Sequence, residues 1–434
     1  MFVWGALWAA CTSGPQPSGP PLPLAFEGGE VPTNLLMISL DTTRRDRIGH
    51  LAQLPTTPFL DARMAEGVVL GDHRSCSNWT APSMICATTG LTPLEQGFWP
   101  GSGDPEVEDI PAELPSLARI LSGAGWQTRL VTANPVFSDR LGAGDGFEHA
   151  TVLDFADAGE VLSRSLPEAA QLIGAGPWYL HLHFVDPHRP YCPPPAYRGA
   201  AEALPPLGFD VCGALPEALE ALEAGDEAYR ALLVQHVDAI YRGAVRYLDD
   251  VLAQLWSELD AMGLLDDVLV VFLTDHGEQL MERGVFDHGY ALYAEESRAA
   301  AGLWARTLAP GSWWGPTLHQ DLAATLFELY DVDPGGPVSG IPLGSAPDDR
   351  AVGVMAYSWH DAGAVQLSVV HGDRQLHTTW DGGHELYELD TDPGELHDVY
   401  RPDHPDLEGL WAQLRPLMEQ VEARWPHLGP PAGP

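Results

Sequence analysis

Thr80 stands in Ser77-Asn78-Trp79-Thr80-Ala81-Pro82-Ser83-Met84, followed by Ile85-Cys86-Ala87-Thr88-Thr89-Gly90. A hydroxyl two positions before a proline, then a helix-compatible run closing on glycine, predicts that Thr80 lies beside a helix N-terminus. Free backbone N–H groups and the positive end of the helix dipole stabilise an anionic ester there, which makes it a good place for a nucleophile. Taken alone, the segment fits a plain helix cap better than a nucleophile. Three further stretches end in residues suited to bind an anion or a cation. Val31 to Leu40 runs into Asp41-Thr42-Thr43-Arg44-Arg45-Asp46, and Trp178 to Val185 runs into Asp186-Pro187-His188-Arg189-Pro190-Tyr191. Val268 to Thr274 runs into Asp275-His276-Gly277-Glu278, with another histidine in Phe286-Asp287-His288-Gly289.

These residues matter together only if the elements before them are strands that end on one side of a sheet. Val31 to Leu40 reads as a strand buried on both faces, and so does Val268 to Thr274. Leu114 to Gly125 reads as a helix and Trp126 to Thr132 as the next strand, which gives a βαβ alternation. In open α/β sheets ligands bind outside the carboxyl ends of the strands, where Asp41, His188, Asp275 and His276 all fall. His181 and His183 share one face of their strand; His183 is read as a core histidine. Residues 192–225, rich in Pro, Gly and Ala, are expected to form a loop over the site, and Glu227 to Met262 has helical periodicity. From about Ala351 short alternating segments predict a small antiparallel sheet, over 352–358, 366–371, 374–380 and 385–389, followed by a helix near Leu407 to Arg424. The expected units are a signal-like segment with a Pro-rich tether over 1–30, a catalytic unit over 31–345 and a small α+β unit over 351–430, with the boundary in Pro342 to Asp348.

The chain has 434 residues and a formal net charge of −39, and its 22 basic residues are all arginine. That charge argues against binding nucleic acid or an anionic membrane through bulk electrostatics. An anionic substrate therefore needs a locally positive site made by metal and arginine. The N-terminal run Met1 to Ala10 is apolar and ends before Cys11, which resembles the tail of a bacterial lipoprotein signal. Trp8 stands where such signals usually carry leucine, and no basic residue precedes the run. Thr12 to Pro21 reads as an extended tether. Export to the periplasm or outer membrane follows, with membrane contact only through a lipid on Cys11. The other cysteines are Cys76, Cys86, Cys192 and Cys212. In an exported protein they could form two bridges, with Cys192 and Cys212 the more plausible pair, or remain buried thiols.

The order of these motifs resembles the sulfatase family of the alkaline phosphatase superfamily, over nearly all of residues 31–425. The matching stretches are Asn34 to Thr42 with Arg44 and Asp46, Trp79 to Ser83 with Thr89-Gly90-Leu91, and Asp186 to Tyr191. Tyr241 to Asp249, Thr274 to Glu278 with His288, and Leu386 to Glu395 complete the set. The resemblance implies an α/β fold, with a large mixed, mainly parallel sheet between helices and a smaller C-terminal antiparallel sheet with a helix. It implies one divalent metal held by Asp41, Asp275 and His276, with the Thr80 hydroxyl completing the set. Arg44, His188 and His288 then look like anion-binding or acid/base groups.

Departures from the family pattern narrow the chemistry. Sulfatases proper carry Cys-X-Pro-Ser-Arg, whose cysteine becomes formylglycine, whereas these positions read Thr80-Ala81-Pro82-Ser83-Met84. Threonine cannot become that aldehyde, so no formylglycine is expected. The set Asp41, Thr80, Asp275 and His276 looks like that of phosphoethanolamine transferases, lipoteichoic acid synthases and related phosphodiesterases. Imidazole favours Zn²⁺ or Mn²⁺ over Ca²⁺. The expected function is hydrolysis or transfer of a phosphate or sulfate ester through Thr80, with the phosphoester favoured. The alternatives are a sulfuric ester hydrolase without formylglycine and a non-catalytic binding lipoprotein on the same fold.

Overall fold

The computed structural model describes residues 24–97, 99–100, 107–108, 114–138, 144–212, 227–347, 349–357 and 365–429. Cys11 and the tether lie outside them, and among the described residues no helix is long and apolar enough to cross a membrane. The main sheet takes eight segments of the chain: β1 (Asn34–Leu40), β2 (Val68–Arg74), β3 (Gln127–Thr132), β4 (His149–Val152), β5 (Trp178–Phe184), β6 (Val268–Thr274), β7 (Arg298–Trp304) and β8 (Gly311–Leu318). Their order across the sheet is β8-β2-β7-β6-β1-β5-β3-β4. Every strand is parallel to its neighbours except β7, which is antiparallel to both β2 and β6. The central strands are apolar on both faces because helices cover both faces.

Alternation along β1 and β6 divides the core. Leu35, Met37, Leu269, Val271 and Leu273 face one side, where they meet Met84 and Ile85 of α2 (Thr80–Thr89) and Leu322 and Leu326 of α6 (His319–Leu329). Leu36, Ile38, Val268, Val270 and Phe272 face the other. There they meet α1 (Pro58–Glu66), α4 (Ala158–Ala170) and the long α5 (Glu227–Ala261), which buries Leu248, Val251, Leu252 and Leu255. At about 1.5–3 kcal/mol for each large side chain fully removed from water, this central layer is a main stabilising term. A further helix of this unit is α3 (Leu117–Gly123).

The C-terminal unit is a four-stranded antiparallel meander, β9 (Val352–Tyr357), β10 (Val365–His371), β11 (Arg374–Thr379) and β12 (His384–Glu388). One face packs on Leu410, Trp411, Leu414 and Met418 of α7 (Leu407–Arg424). The other face sets Val352, Val354 and Ala356 against Leu292 and Leu318 of the main unit. Both disulfides are formed, Cys76–Cys86 and Cys192–Cys212. Of the loop expected over the site, Ala201, Leu207 and Val211 pack with Leu233, Val237 and Ile240 of α5, joined by Tyr191 just before it. Residues 213–226 of that loop lie outside the described ones.

Helix α1 begins with Pro58, and Phe59 and Leu60 follow in its first turn, where N–H groups have no intrahelical partners. The buried carboxylate of Asp249 on α5 accepts both, each at 2.9 Å. Asp249→Ala should therefore lower stability by about 1–3 kcal/mol for the donors left unpaired. Asp249→Asn, which keeps an acceptor, should cost less. Urea unfolding of the two variants measures the difference.

Candidate active site

The site lies at the carboxyl ends of the parallel strands. Leu40 of β1 pairs with Thr274 of β6, so the next residues, Asp41 and Asp275, emerge side by side. The Asp41 N–H donates to Phe184 O of β5 at 2.8 Å, and the Ala133 N–H after β3 donates to His183 O at 3.0 Å. Thr80 arrives on the first turn of α2 from the β2 side. The helix N-cap is Trp79, whose side chain makes no capping bond. Thr80 thus takes the first helical position, and its hydroxyl turns to other side chains.

Those partners define the centre. Thr80 Oγ1 lies 3.3 Å from Asp41 Oδ2, 3.3 Å from His276 Nε2 and 3.2 Å from Asn134 Nδ2. His276 Nε2 is 3.4 Å from Asp275 Oδ2 and 3.9 Å from Asp41 Oδ1. Asp41, Asp275 and His276 are all fully buried. Three donors satisfy Asp41 Oδ2: Asn134 Nδ2 at 2.6 Å, His183 Nε2 at 3.2 Å and the Thr80 hydroxyl. The N–H groups of His276 and Thr42 satisfy Asp275 Oδ1 at 2.7 and 3.0 Å. Asp41 Oδ1 and Asp275 Oδ2 have no hydrogen-bond partner. Buried carboxylate oxygens without donors are costly unless a cation meets them.

Electrostatics agree with a cation site. Burial pushes the Asp275 carboxyl well above its usual range, and the neighbouring charge of Asp41 adds to this. Burial also opposes charge on Asp41, but the His183 hydrogen bond and the imidazoles of His188, His183 and His276 hold it below the usual carboxylate range. Burial, with His288 beside it, pushes His276 well below the usual imidazole range. Its Nδ1 meets Gly277 O at 2.8 Å, so Nδ1 carries the proton and Nε2 offers a lone pair. Asp41, Asp275 and His276 together offer a mixed O/N set of ligand atoms within 4.8 Å of one another, able to hold a divalent cation, with Thr80 Oγ1 beside it. Gly277 is fixed by packing: a Cβ there would stand 1.9 Å from Glu295 O.

The expected acid/base residues split into two groups. The rings of His276 and His288 are 4.4 Å apart between centroids, and those of His188 and His288 are 5.3 Å apart, so both histidines flank the centre. His288 Nδ1 faces two carboxylates, Asp287 Oδ1 at 3.1 Å and Glu278 Oε1 at 3.4 Å. Burial disfavours charge on His288, yet these carboxylates outweigh it and raise its pKa well above the usual range. Arg44 is placed differently. Its guanidinium is buried and held by Asp46 at 2.8 and 2.9 Å, by Glu282 at 2.6 Å and by Glu278 O at 3.1 Å. The tyrosine hydroxyl of Tyr241 on α5 accepts from the Arg44 N–H and donates to Thr42 O, tying the turn after Asp41 to the helix.

Asn134, Glu278 and Asp287 join the site without having been given a role in the sequence, and so does His183, which was read there as a core histidine. Asn134 follows β3 as Asp41 follows β1, so a polar residue just past a strand end was its available signal. His183 sits inside a strand on an apolar face, where its identity alone separates it poorly from a core histidine. Glu278 and Asp287 are recognisable only through their distance to His288.

The sequence matches the sulfatase family over residues 33–332. Among characterised proteins, it is 26% identical over 241 residues to a choline-sulfatase of Rhizobium meliloti (strain 1021), covering 51% of this chain and 46% of that protein. It is 27% identical over 206 residues to arylsulfatase K of Xenopus laevis, covering 43% and 38%. The chain thus aligns with less than half the length of either relative. Among solved structures, a phosphonate monoester hydrolase from Silicibacter pomeroyi aligns with TM-score 0.70 at 18% identity, over 90% of this chain and 95% of that one. A protein solved with its substrate D-glucosamine-2-N,6-O-disulfate aligns with TM-score 0.74 at 16% identity, over 92% and 99%. These likenesses show a shared fold, and the family match covers well over half of the chain, so the protein belongs to the sulfatase family.

Proposed function

We propose that this chain is a metal-dependent hydrolase or transferase of phosphate or sulfate esters, with Thr80 as nucleophile and phosphoesters as the favoured class. The observation that carries this reading is the Thr80 hydroxyl 3.2–3.3 Å from Asn134, Asp41 and His276, beside two buried carboxylate oxygens that lack donors. When bound, a divalent cation at Asp41, Asp275 and His276 would lower the pKa of an adjacent hydroxyl and offset charge on the transferring group.

The chain's own residues supply the rest. Asn134 donates to Thr80 Oγ1, which fixes the hydroxyl so that its proton points at Asp41 Oδ2. The oxygen forms a bond to phosphorus as the bond to the leaving alcohol breaks, and the N–H groups of the first turn of α2 face the developing negative charge. His288, held by Glu278 and Asp287, is the group that hands a proton to the leaving oxygen, with His188 beside it. Water or a second alcohol then takes the phosphoryl group from Thr80. Threonine offers no hydrate through which a bound sulfate could be expelled, which is why phosphate is favoured. The phosphonate monoester hydrolase among the structural neighbours is compatible with that preference. We also propose export, because two disulfides join the four cysteines at 76, 86, 192 and 212, as an oxidising compartment permits.

Thr80→Ala should abolish turnover of aryl phosphates and phosphodiesters by metal-loaded protein while leaving the circular dichroism spectrum unchanged. Undiminished turnover would remove Thr80 from the mechanism, and a clear preference for aryl sulfate in the same assay would reverse the order of substrates. His288→Gln should slow esters of poorly acidic alcohols by ~10²–10⁴ and esters of acidic phenols much less, because only the former need a proton. The slope of rate against leaving-group pKa reads this directly. Chelator-stripped protein should lose activity and regain it with Zn²⁺ or Mn²⁺, and at roughly 100 times the dissociation constant the ion should stabilise the fold by about 2.7 kcal/mol. Asp275→Asn should show neither recovery at the same ion concentration.

A further inference from the structure

The face of the main sheet behind Asp41 is not uniformly apolar. Along β5, Tyr179, His181 and His183 alternate on one face, and Ser39 of β1 lies opposite His183 in the strand register. All four side chains are fully buried. Tyr179 Oη is 2.8 Å from His181 Nδ1, His181 Nε2 is 2.9 Å from Ser39 Oγ, and Ser39 Oγ is 2.7 Å from His183 Nδ1. The series ends where His183 Nε2 meets Asp41 Oδ2 at 3.2 Å. The ring of Phe137 covers both imidazoles, 4.9 and 5.3 Å away between centroids.

The direction of these bonds follows from the ends. An ionised carboxylate only accepts, so His183 Nε2 carries a proton and donates it to Asp41. The Tyr179 hydroxyl donates to His181 Nδ1, the shorter of its two options, the other being Met37 Sδ at 3.2 Å. His181 Nε2 then donates to Ser39 Oγ, and the Ser39 hydroxyl donates to His183 Nδ1. Every polar atom in the series is satisfied once, and every donor points towards Asp41. Ordinary core packing would not require four polar residues in a row, nor that the row end on Asp41.

We propose that Ser39, His181 and His183 are positioning residues that lock the Asp41 carboxylate, with Oδ1 turned to the cation site, before a divalent cation arrives. Asp41 Oδ2 is pinned by His183 from behind the sheet and by Asn134 from the β3 side, which leaves Oδ1 as its free oxygen. Outer hydrogen bonds of this kind orient a ligand and are worth ~10–100-fold in metal affinity. The inference rests on the reading of Asp41 as a ligand and adds the device that presents it.

The test is Zn²⁺ or Mn²⁺ affinity of stripped protein, measured by competition with a chelator, for wild type, Ser39→Ala, His183→Leu, His183→Gln and Asp41→Asn. Ser39→Ala keeps the volume and removes the donor to His183 Nδ1; His183→Gln keeps an N–H able to reach Asp41. Ser39→Ala and His183→Leu should bind the ion ~10–100-fold more weakly, with His183→Gln recovering most of the loss. In wild type, nitrogen NMR should find the His183 proton on Nε2, without a metal or substrate present. Unchanged affinity in His183→Leu overturns the proposal, and so does a glutamine variant as weak as the leucine one, since packing alone would then explain the loss. Asp41→Asn with wild-type affinity instead overturns the metal reading itself.

Discussion

Two carboxylates buried within 4.8 Å of each other and of an imidazole form the constraint around which this molecule is arranged. Two unit charges ~4 Å apart repel by about 4 kcal/mol at an effective dielectric near 20, before the cost of removing each from water is counted. The structure answers this unevenly. One oxygen of each aspartate receives two or three donors, and the other receives none. A protein that only needed to tolerate these residues would satisfy all four oxygens or replace the carboxylates. Leaving the two oxygens that converge on His276 and Thr80 open is intelligible as a place reserved for positive charge.

The surrounding fold transmits position to that centre through few contacts. Parallel pairing of β1 with β5 and β6 delivers Asp41 and Asp275 together. The Thr80 segment is held from two directions. The Cys76–Cys86 bridge joins the approach to α2 with its second turn. The buried Glu296 accepts from Asn78 Nδ2 at 3.1 Å and from the N–H groups of Gly289 and Tyr290 at 2.8 and 3.1 Å. One carboxylate therefore ties the loop before Thr80 to the loop that follows His288. The C-terminal sheet supports that second loop from outside, where Gln366 Nε2 donates to Tyr290 O at 2.6 Å.

The legible part of this arrangement was the part written in strands followed at once by polar residues. β1, β5 and β6 are largely apolar runs, and the residues just beyond them could be read as a cluster from the sequence. The C-terminal meander and α7 were legible for the same reason, since their alternation changes from helical to strand period. β2, β7 and β8 were not. β2 ends in Gly71-Asp72-His73-Arg74, β7 is largely alanine and β8 contains Gly315 and Pro316, compositions that local preference does not assign to strands. Tertiary packing decides these cases: Pro316 is tolerated because β8 is an edge strand, and Gly71 because the Trp314 ring lies 2.3 Å from where its Cβ would be. Within the site, the roles of Asn134 and His183 were not legible because they depend on which oxygen of Asp41 each reaches.

Net charge sharpens the question of how an anion is bound at all. A chain at −39 repels anionic esters at long range, and the arginines nearest the centre do little to reverse this. Arg44 is neutralised by Asp46 and Glu282, and Arg189 is paired with Asp287 at 2.9 Å. The groups beside Thr80 that could offset negative charge are instead His288, whose charge Glu278 and Asp287 sustain, the first turn of α2, and a cation held between Asp41 and Asp275. Of these, only the last can supply two positive charges within reach of Thr80. Anion binding and nucleophile activation would then depend on the same ion, so that a metal-free molecule would lose affinity for the ester together with its means of attacking it.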